Sequence, residues 1–296
     1  FLVSILAYPS AGTPYVDHHS AYLSVISLFC FILALKNNEK IYWFFLPIVF
    51  GLAFLTKQAP TGHFILIVFL LSTIYFVFNF DIKKIIYLFL GSLLLISCFT
   101  ITLIISNIPL QSFLEQYILF PLSLGENRLD FLFPLEFNRI ILRFKLIHLA
   151  TFVLIIVCFK NILIKRSYLK SNEFLIIISL ILSSYALIVH QLMTINGMFV
   201  FFIIPILIGF SHFYYVKYFK EKKYILYILL LIGIGSTAHY GLKYIHHRDF
   251  MDLSTVKIDN ALDAKLLDKK LNKLKWITFF YKDNPQKEIL RLNEVI

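Results

Sequence analysis

The sequence predicts an all-α polytopic membrane protein: about eight transmembrane helices and a partial helix at the start. Interfacial helices and the beginning of a small α/β C-terminal domain complete the expectation. Two observations carry this. Hydrophobic residues make up 59% of the 296 and charged ones only 15%, against about 45–50% apolar and 25% charged in soluble domains. Mean hydropathy is +0.79, and runs of roughly 18–20 apolar residues recur, each long enough to cross a bilayer as a helix.

Taken in order, residues 1–8 read as the tail of a helix and Pro9 to Asp17 as a short loop. Apolar helices are then expected at about 19–36, 41–56, 62–80, 85–105, 147–164, 174–190, 198–216 and 224–243. The formal charge of +11 does not point to nucleic acid, because the excess Lys and Arg sits in short loops between apolar runs. Lys36 and Lys40, Lys83 and Lys84, the group Lys160, Lys165, Arg166 and Lys170, and the group Lys217, Lys220, Lys222 and Lys223 fall on one face of an up-down threading. That face is expected to be cytoplasmic. Cys30, Cys98 and Cys158 each lie inside an apolar run, so neither disulfides nor thiolate metal sites are expected.

The opposite face receives loop 9–18, the "KQAPTG" turn, segment 106–146, the "HQLMTING" link and the tail. In segment 106–146 apolar and aromatic residues alternate with Glu115, Gln116, Glu126, Arg128 and Arg139. One or two helices lying in the interface plane are expected there. The domain reading is therefore 1–243 transmembrane and 244–296 soluble. In the tail, "STVKIDNALDAKLLDKKLNKLKW" reads as an amphipathic helix, with Ile258, Leu262 and Leu266 at four-residue spacing. "WITFFY" reads as a strand without a partner. The chain opens and closes inside helical patterns and reads as a fragment cut at both ends.

Several polar residues at the mouth of this bundle invite chemistry. "GTPYVDHHSAYLSVISLF" places Asp17, His18 and His19 where an apolar run begins. Asp17 reads equally as a helix N-cap or as part of a cavity. Adjacent histidines point about 100° apart on a helix, a poor spacing for one shared metal. Lys57 occupies the tight turn of a helical hairpin with Gln58, Pro60 and His63. It runs against the positive-inside bias, so it either snorkels to headgroups or holds an anion, most simply a phosphate. Arg128, beside Glu126, is a second cation on that face and a better bidentate phosphate ligand. His190, Gln191 and Asn196 sit at a break between two helices. No GxGxxG, Walker A, GxSxG or HExxH occurs, so nucleotide-driven chemistry has no visible seat. These clustered charges suit a lipid-linked, phosphate-bearing substrate.

The stretch "TPYVDHHSAYLSVISLFCFILALKNNEKIYWFFLPIVFGLAFLTKQAP" resembles the central block of the GT-C glycosyltransferases. These polyprenyl-phosphate-sugar-dependent enzymes include protein O-mannosyltransferases and the lipid A aminoarabinose transferase. The resemblance rests on Asp17 opening a helix, the basic turn from Asn37 to Lys40, and "GLAFLTK" from Gly51 to Lys57; Gln58 replaces the family's usual Gly. It is strongest over about residues 10–80.

The resemblance implies an integral enzyme of the bacterial inner membrane. Such an enzyme transfers a sugar, with inversion, from a polyprenyl-phosphate donor to a lipid, glycan or protein acceptor on the periplasmic side. It implies supporting catalytic roles for Asp17 and His18, with the main general base upstream of Phe1, and phosphate contacts from Lys57 and Arg128. His19, Gln58, His63, Glu126, His190, Gln191 and Asn196 would line the cavity. A divalent metal is compatible with the family, but no ligand set is carried over. A transporter or flippase of lipid-linked sugars, or a membrane anchor for the tail, are the alternative readings.

Overall fold

The computed structural model of the chain describes residues 1–7, 15–123, 136–194, 200–219, 223–245, 261–266 and 269–276, with Lys287 and Leu290. Its helices are α1 (Leu2–Ala7), α2 (Val16–Asn37), α3 (Lys40–Thr56), α4 (Gln58–Phe78), α5 (Ile82–Ile105), α6 (Leu110–Phe113), α7 (Lys145–Ile164), α8 (Asn172–Thr194), α9 (Ile203–Tyr218) and α10 (Lys223–Ile245). Two π-wound stretches, Leu114–Leu119 and Asn138–Leu142, flank residues 124–135. The first continues α6, so that 110–123 is helical throughout.

Local chemistry sets several boundaries. Asn38 takes the left-handed conformation that ends α2 (φ 59°), a conformation Asn tolerates well. Asp81 caps α5 by accepting from the Lys83 backbone N–H at 3.0 Å. Inside the helices Ser27, Thr73, Ser92, Thr102 and Ser184 each donate to the carbonyl four residues back. A hydroxyl satisfied within its own helix needs no water, which suits a bilayer.

Among the described residues six helices are long and apolar enough to cross a membrane: α2, α4, α5, α7, α8 and the 224–243 part of α10. The sequence suggested eight. The difference lies in α3 and α9, of 17 and 16 residues. At 1.5 Å per residue they reach about 24–26 Å, at or just under the lower limit of lengths that cross a hydrocarbon core of about 30 Å. What stands is an all-helical, membrane-like architecture. In it α2 and α8 are central, with 61% and 78% of their most apolar windows buried, whereas α5 is peripheral at 11%. Trp43, Phe31, Phe64, Phe144, Leu154 and Leu180 are fully buried between the helices. Outward-facing Phe69, Val77, Phe89 and Ile104 are more than half exposed, a pattern suited to lipid rather than water.

The bundle has two chemically distinct ends. At one, Asn172 Nδ2 donates to the Leu35 carbonyl at 2.8 Å, and Lys84 Nζ donates to Asn38 Oδ1 at 2.5 Å. Lys160 Nζ donates to the Tyr218 carbonyl at 2.9 Å, Lys217 pairs with Glu173, and Lys170 lies 4.9 Å from the Phe78 ring centroid. The described cationic loops thus meet at a single end, as the alternating threading requires. Asp17, Lys57 and His190 gather at the other.

Residues 248–296 form a separate unit. Within it Leu262–Asp263 pairs antiparallel with Lys275–Trp276, and short 3-10 turns cover Ala264–Leu266 and Lys269–Leu271. The amphipathic helix expected over 254–276 is therefore not formed in its described part. Asp263 Oδ1 accepts from the Lys265 backbone N–H at 3.1 Å, a local bond that competes with helix. Lys273 turns left-handed at φ 74°. Trp276, expected in an unpartnered strand, has Leu262 as its partner. Residues 254–260, 267, 268 and 277–281 of those two expected elements lie outside the described residues.

Candidate functional site

The site begins with a break in a helix. Lys57 ends α3 and precedes α4 in an extended conformation (φ −162°, ψ 135°). Its own N–H stays bonded to the Ala53 carbonyl at 3.1 Å. Its carbonyl accepts from Ser20 Oγ at 3.1 Å. Ser20 and Ser24 also bond the Thr61 hydroxyl, at 2.7 and 3.0 Å, and all three hydroxyl residues are buried. This small polar ladder fastens the first turns of α2 to the start of α4. Asp17, one turn before Ser20, shares its helix face.

The consequence is a contact between residues 40 apart in sequence. Lys57 Nζ donates to Asp17 Oδ1 at 2.5 Å. His190, near the end of α8, places Nε2 3.2 Å from the same oxygen. The side chains of Asp17 and Lys57 are 15% and 24% exposed, that of His190 only 3%. Lys57 therefore does not snorkel freely; its ammonium is held at the mouth of the bundle by a carboxylate that α2 positions. One of its three N–H groups serves Asp17, leaving donors for another acceptor.

The rim is fixed by segment 110–123. Tyr117 donates its hydroxyl to the Phe54 carbonyl at 2.5 Å, and the Gln58 amide donates back to the Tyr117 carbonyl. Burial pushes the Tyr117 phenol up, so it remains a neutral donor. Phe113 stacks on its ring at 5.0 Å. On the other side Arg139 donates to the Leu192 carbonyl at 3.0 Å, two residues beyond His190. Neither Tyr117 nor Arg139 was among the expected site residues. Only the mixed polar and aromatic character of segment 106–146 hinted at them.

The remaining candidates separate. His18 is buried, its Nδ1 accepting from the Tyr15 backbone N–H at 3.2 Å, with its ring between Tyr15 and Tyr22. Its shown contacts are structural. His19 is exposed, and Gln191 is buried beside His190. His63 is half-buried on α4, and its Nδ1 has no hydrogen-bond partner among the described residues. Glu126, Arg128 and Asn196 lie outside the described residues.

Among the described residues no group of three or more His, Cys, Asp or Glu side chains is arranged to hold a metal. Asp17 and His190 do converge, but the Lys57 ammonium on the same carboxylate oxygen opposes a divalent cation there. Paired with Asp17 the ammonium is neutralised, and what it keeps for an anion is its remaining N–H donors. A preorganised, partly desolvated ammonium attracts a phosphate more strongly than one in free solvent. No protein-family model, no curated protein and no solved structure matches this chain.

Proposed function

We propose that the chain is the membrane-embedded part of a glycosyltransferase of the GT-C type. It would transfer a sugar from a polyprenyl-phosphate donor to an acceptor on the non-cytoplasmic face of a bacterial inner membrane. The observation that carries this reading is the Lys57–Asp17–His190 cluster at the end of the bundle away from the cationic loops. Lys57 binds the donor phosphate and stabilises its charge as the sugar leaves. Asp17 acts as a positioning residue, holding the Lys57 ammonium at the mouth of the bundle with His190 on the same carboxylate oxygen. On this reading α3 and α9 also cross the membrane, giving eight spans, and the tail begins a small α/β domain outside the cytoplasm.

The placement of charge favours an enzyme over a transporter. A transporter keeps polar binding groups near the bilayer midplane, often on interrupted helices. Here the charged residues of the long helices stay near helix ends: Asp17 and Lys36 on α2, Lys83 and Lys84 on α5, Lys145 and Lys160 on α7, and Glu173 on α8.

The test is Lys57→Ala in the full-length protein, reading release of polyprenyl phosphate from labelled polyprenyl-phosphate sugars in reconstituted vesicles. Loss of one charge-assisted contact, about 1.5–3 kcal/mol, lowers turnover roughly 10- to 150-fold. Lys57→Arg keeps part of the activity, since the charge survives with altered geometry. Wild-type turnover in Lys57→Ala, with donor below saturation, refutes the assignment.

A further inference from the structure

A cavity of about 320 Å³ lies well away from the Lys57 cluster, between α2, α8 and α9. Phe29, Ile32, Ile206 and Phe213 form its apolar walls, Gly209 leaves an opening in α9, and Lys36 stands at one end. The geometry follows from sequence. Gly209 is exposed, and a Cβ built on it meets nothing within 4 Å. The missing side chain is therefore a gap in the wall rather than a close helix contact. Phe213 is 53% exposed, so the cavity opens on the outer surface of the bundle.

Its lining residues extend towards the cationic end. Phe29, Ile32 and Lys36 follow one face of α2 towards its C-terminus, and Gly209 and Phe213 follow α9 in the same direction. Among the described residues Lys36 forms no ion pair. The nearest acidic candidate on α8, Glu173, is already engaged by Lys217 and the Tyr218 hydroxyl. An apolar slot open to the bilayer and ending, at headgroup level, in an ammonium that forms no ion pair among the described residues matches an anionic lipid in both parts.

We propose that this groove seats one acyl chain of an anionic glycerophospholipid, with its phosphate on Lys36, in the leaflet at the cationic end. A neutral aqueous ligand would have to cross hydrocarbon to reach it, whereas the bilayer supplies acyl chains continuously. Hydrocarbon transfer from lipid to groove gains little by itself, because both are apolar. Selectivity therefore comes from charge, while occupancy depends on the shape of the gap at Gly209. This site is separate from the proposed donor site at the opposite end.

The experiment uses the full chain reconstituted in vesicles of phosphatidylcholine and phosphatidylglycerol in equal amounts. Lipids retained after gentle extraction are counted by native mass spectrometry. Wild type is expected to retain phosphatidylglycerol preferentially. Lys36→Gln lowers that preference about fivefold, the contribution of one interfacial lysine. Gly209→Leu, which fills the groove, removes retention of both lipids. Lys36 is exposed, so its variant tests the proposal even if the Gly209 variant fails to assemble. Equal retention of the two lipids by wild type, or undiminished preference in Lys36→Gln, overturns it. So does loss of retention in Lys57→Ala with none in Gly209→Leu, which would place the lipid at the other end.

Discussion

The contact between Asp17 and Lys57 is the feature on which the site depends, and a double-mutant cycle measures it directly. Asp17→Asn leaves the Lys57 ammonium without its carboxylate in a pocket where it is only 24% exposed. Lys57→Met removes the charge but keeps much of the stem's volume. It leaves Asp17 a second partner, His190 Nε2, at 3.2 Å. The first change should therefore destabilise more than the second. A charge-assisted hydrogen bond contributes about 1.5–3 kcal/mol, and breaking a fully buried pair costs about 3–5. Partial exposure of both members keeps the coupling in the lower range, about 1.5–3 kcal/mol. The assay is reversible unfolding of the full chain in mixed micelles, for wild type, both single variants and the double variant. The double variant should be more stable than the sum of the single losses predicts, by that coupling energy. Losses that add within about 0.5 kcal/mol, the behaviour of independent sites, would refute the contact and the positioning role given to Asp17.

Other expectations concern the scaffold. A Cβ at Gly91 would lie 2.1 Å from the Phe44 carbonyl, whereas at Gly62 it meets nothing within 4 Å. Gly91→Ala should cost about 1–3 kcal/mol by forcing α3 and α5 apart, and Gly62→Ala should lose nothing, in the same unfolding assay. Lys84 is 4% exposed and donates to Asn38 Oδ1 and Tyr75 OH. Lys84→Met should cost about 2 kcal/mol, from the acceptors it leaves, and should speed proteolysis between α4 and α5. Tyr117→Phe loses the bond to the Phe54 carbonyl, about 1 kcal/mol, and should raise amide exchange in 110–123 without altering that in α8.

The parts of this fold that could be read in advance are those a bilayer dictates. Apolar runs locate the long helices because a spanning helix must be apolar over its whole length, and the cationic loops order them because charge decides which ends stay together. Local chemistry in the tail was harder to weigh. The four-residue spacing of Ile258, Leu262 and Leu266 imitates a helix, but one Asx bond at Asp263 and a left-handed Lys273 produce a hairpin instead.

The site shows the same division at higher resolution. Asp17, Lys57 and His190 each looked unusual alone, because each is polar at the boundary of an apolar run. The threading placed all three on one face, but nothing in the sequence paired one with another. Asp17 and Lys57 are brought together by the Ser20, Ser24 and Thr61 hydroxyls, which look like ordinary small residues of spanning helices until α2 and α4 are packed. His190 is 173 residues from Asp17 and reaches it only because α8 occupies the bundle centre. Tyr117 and Arg139 were hidden for a further reason: both act through backbone carbonyls, Phe54 and Leu192, and carbonyls carry no side-chain signature. The cluster thus depends on packing that holds a charge pair where lipid and water meet. Substitutions at Ser20 or Thr61, which touch no proposed substrate themselves, should therefore loosen Lys57 as surely as a change at Asp17.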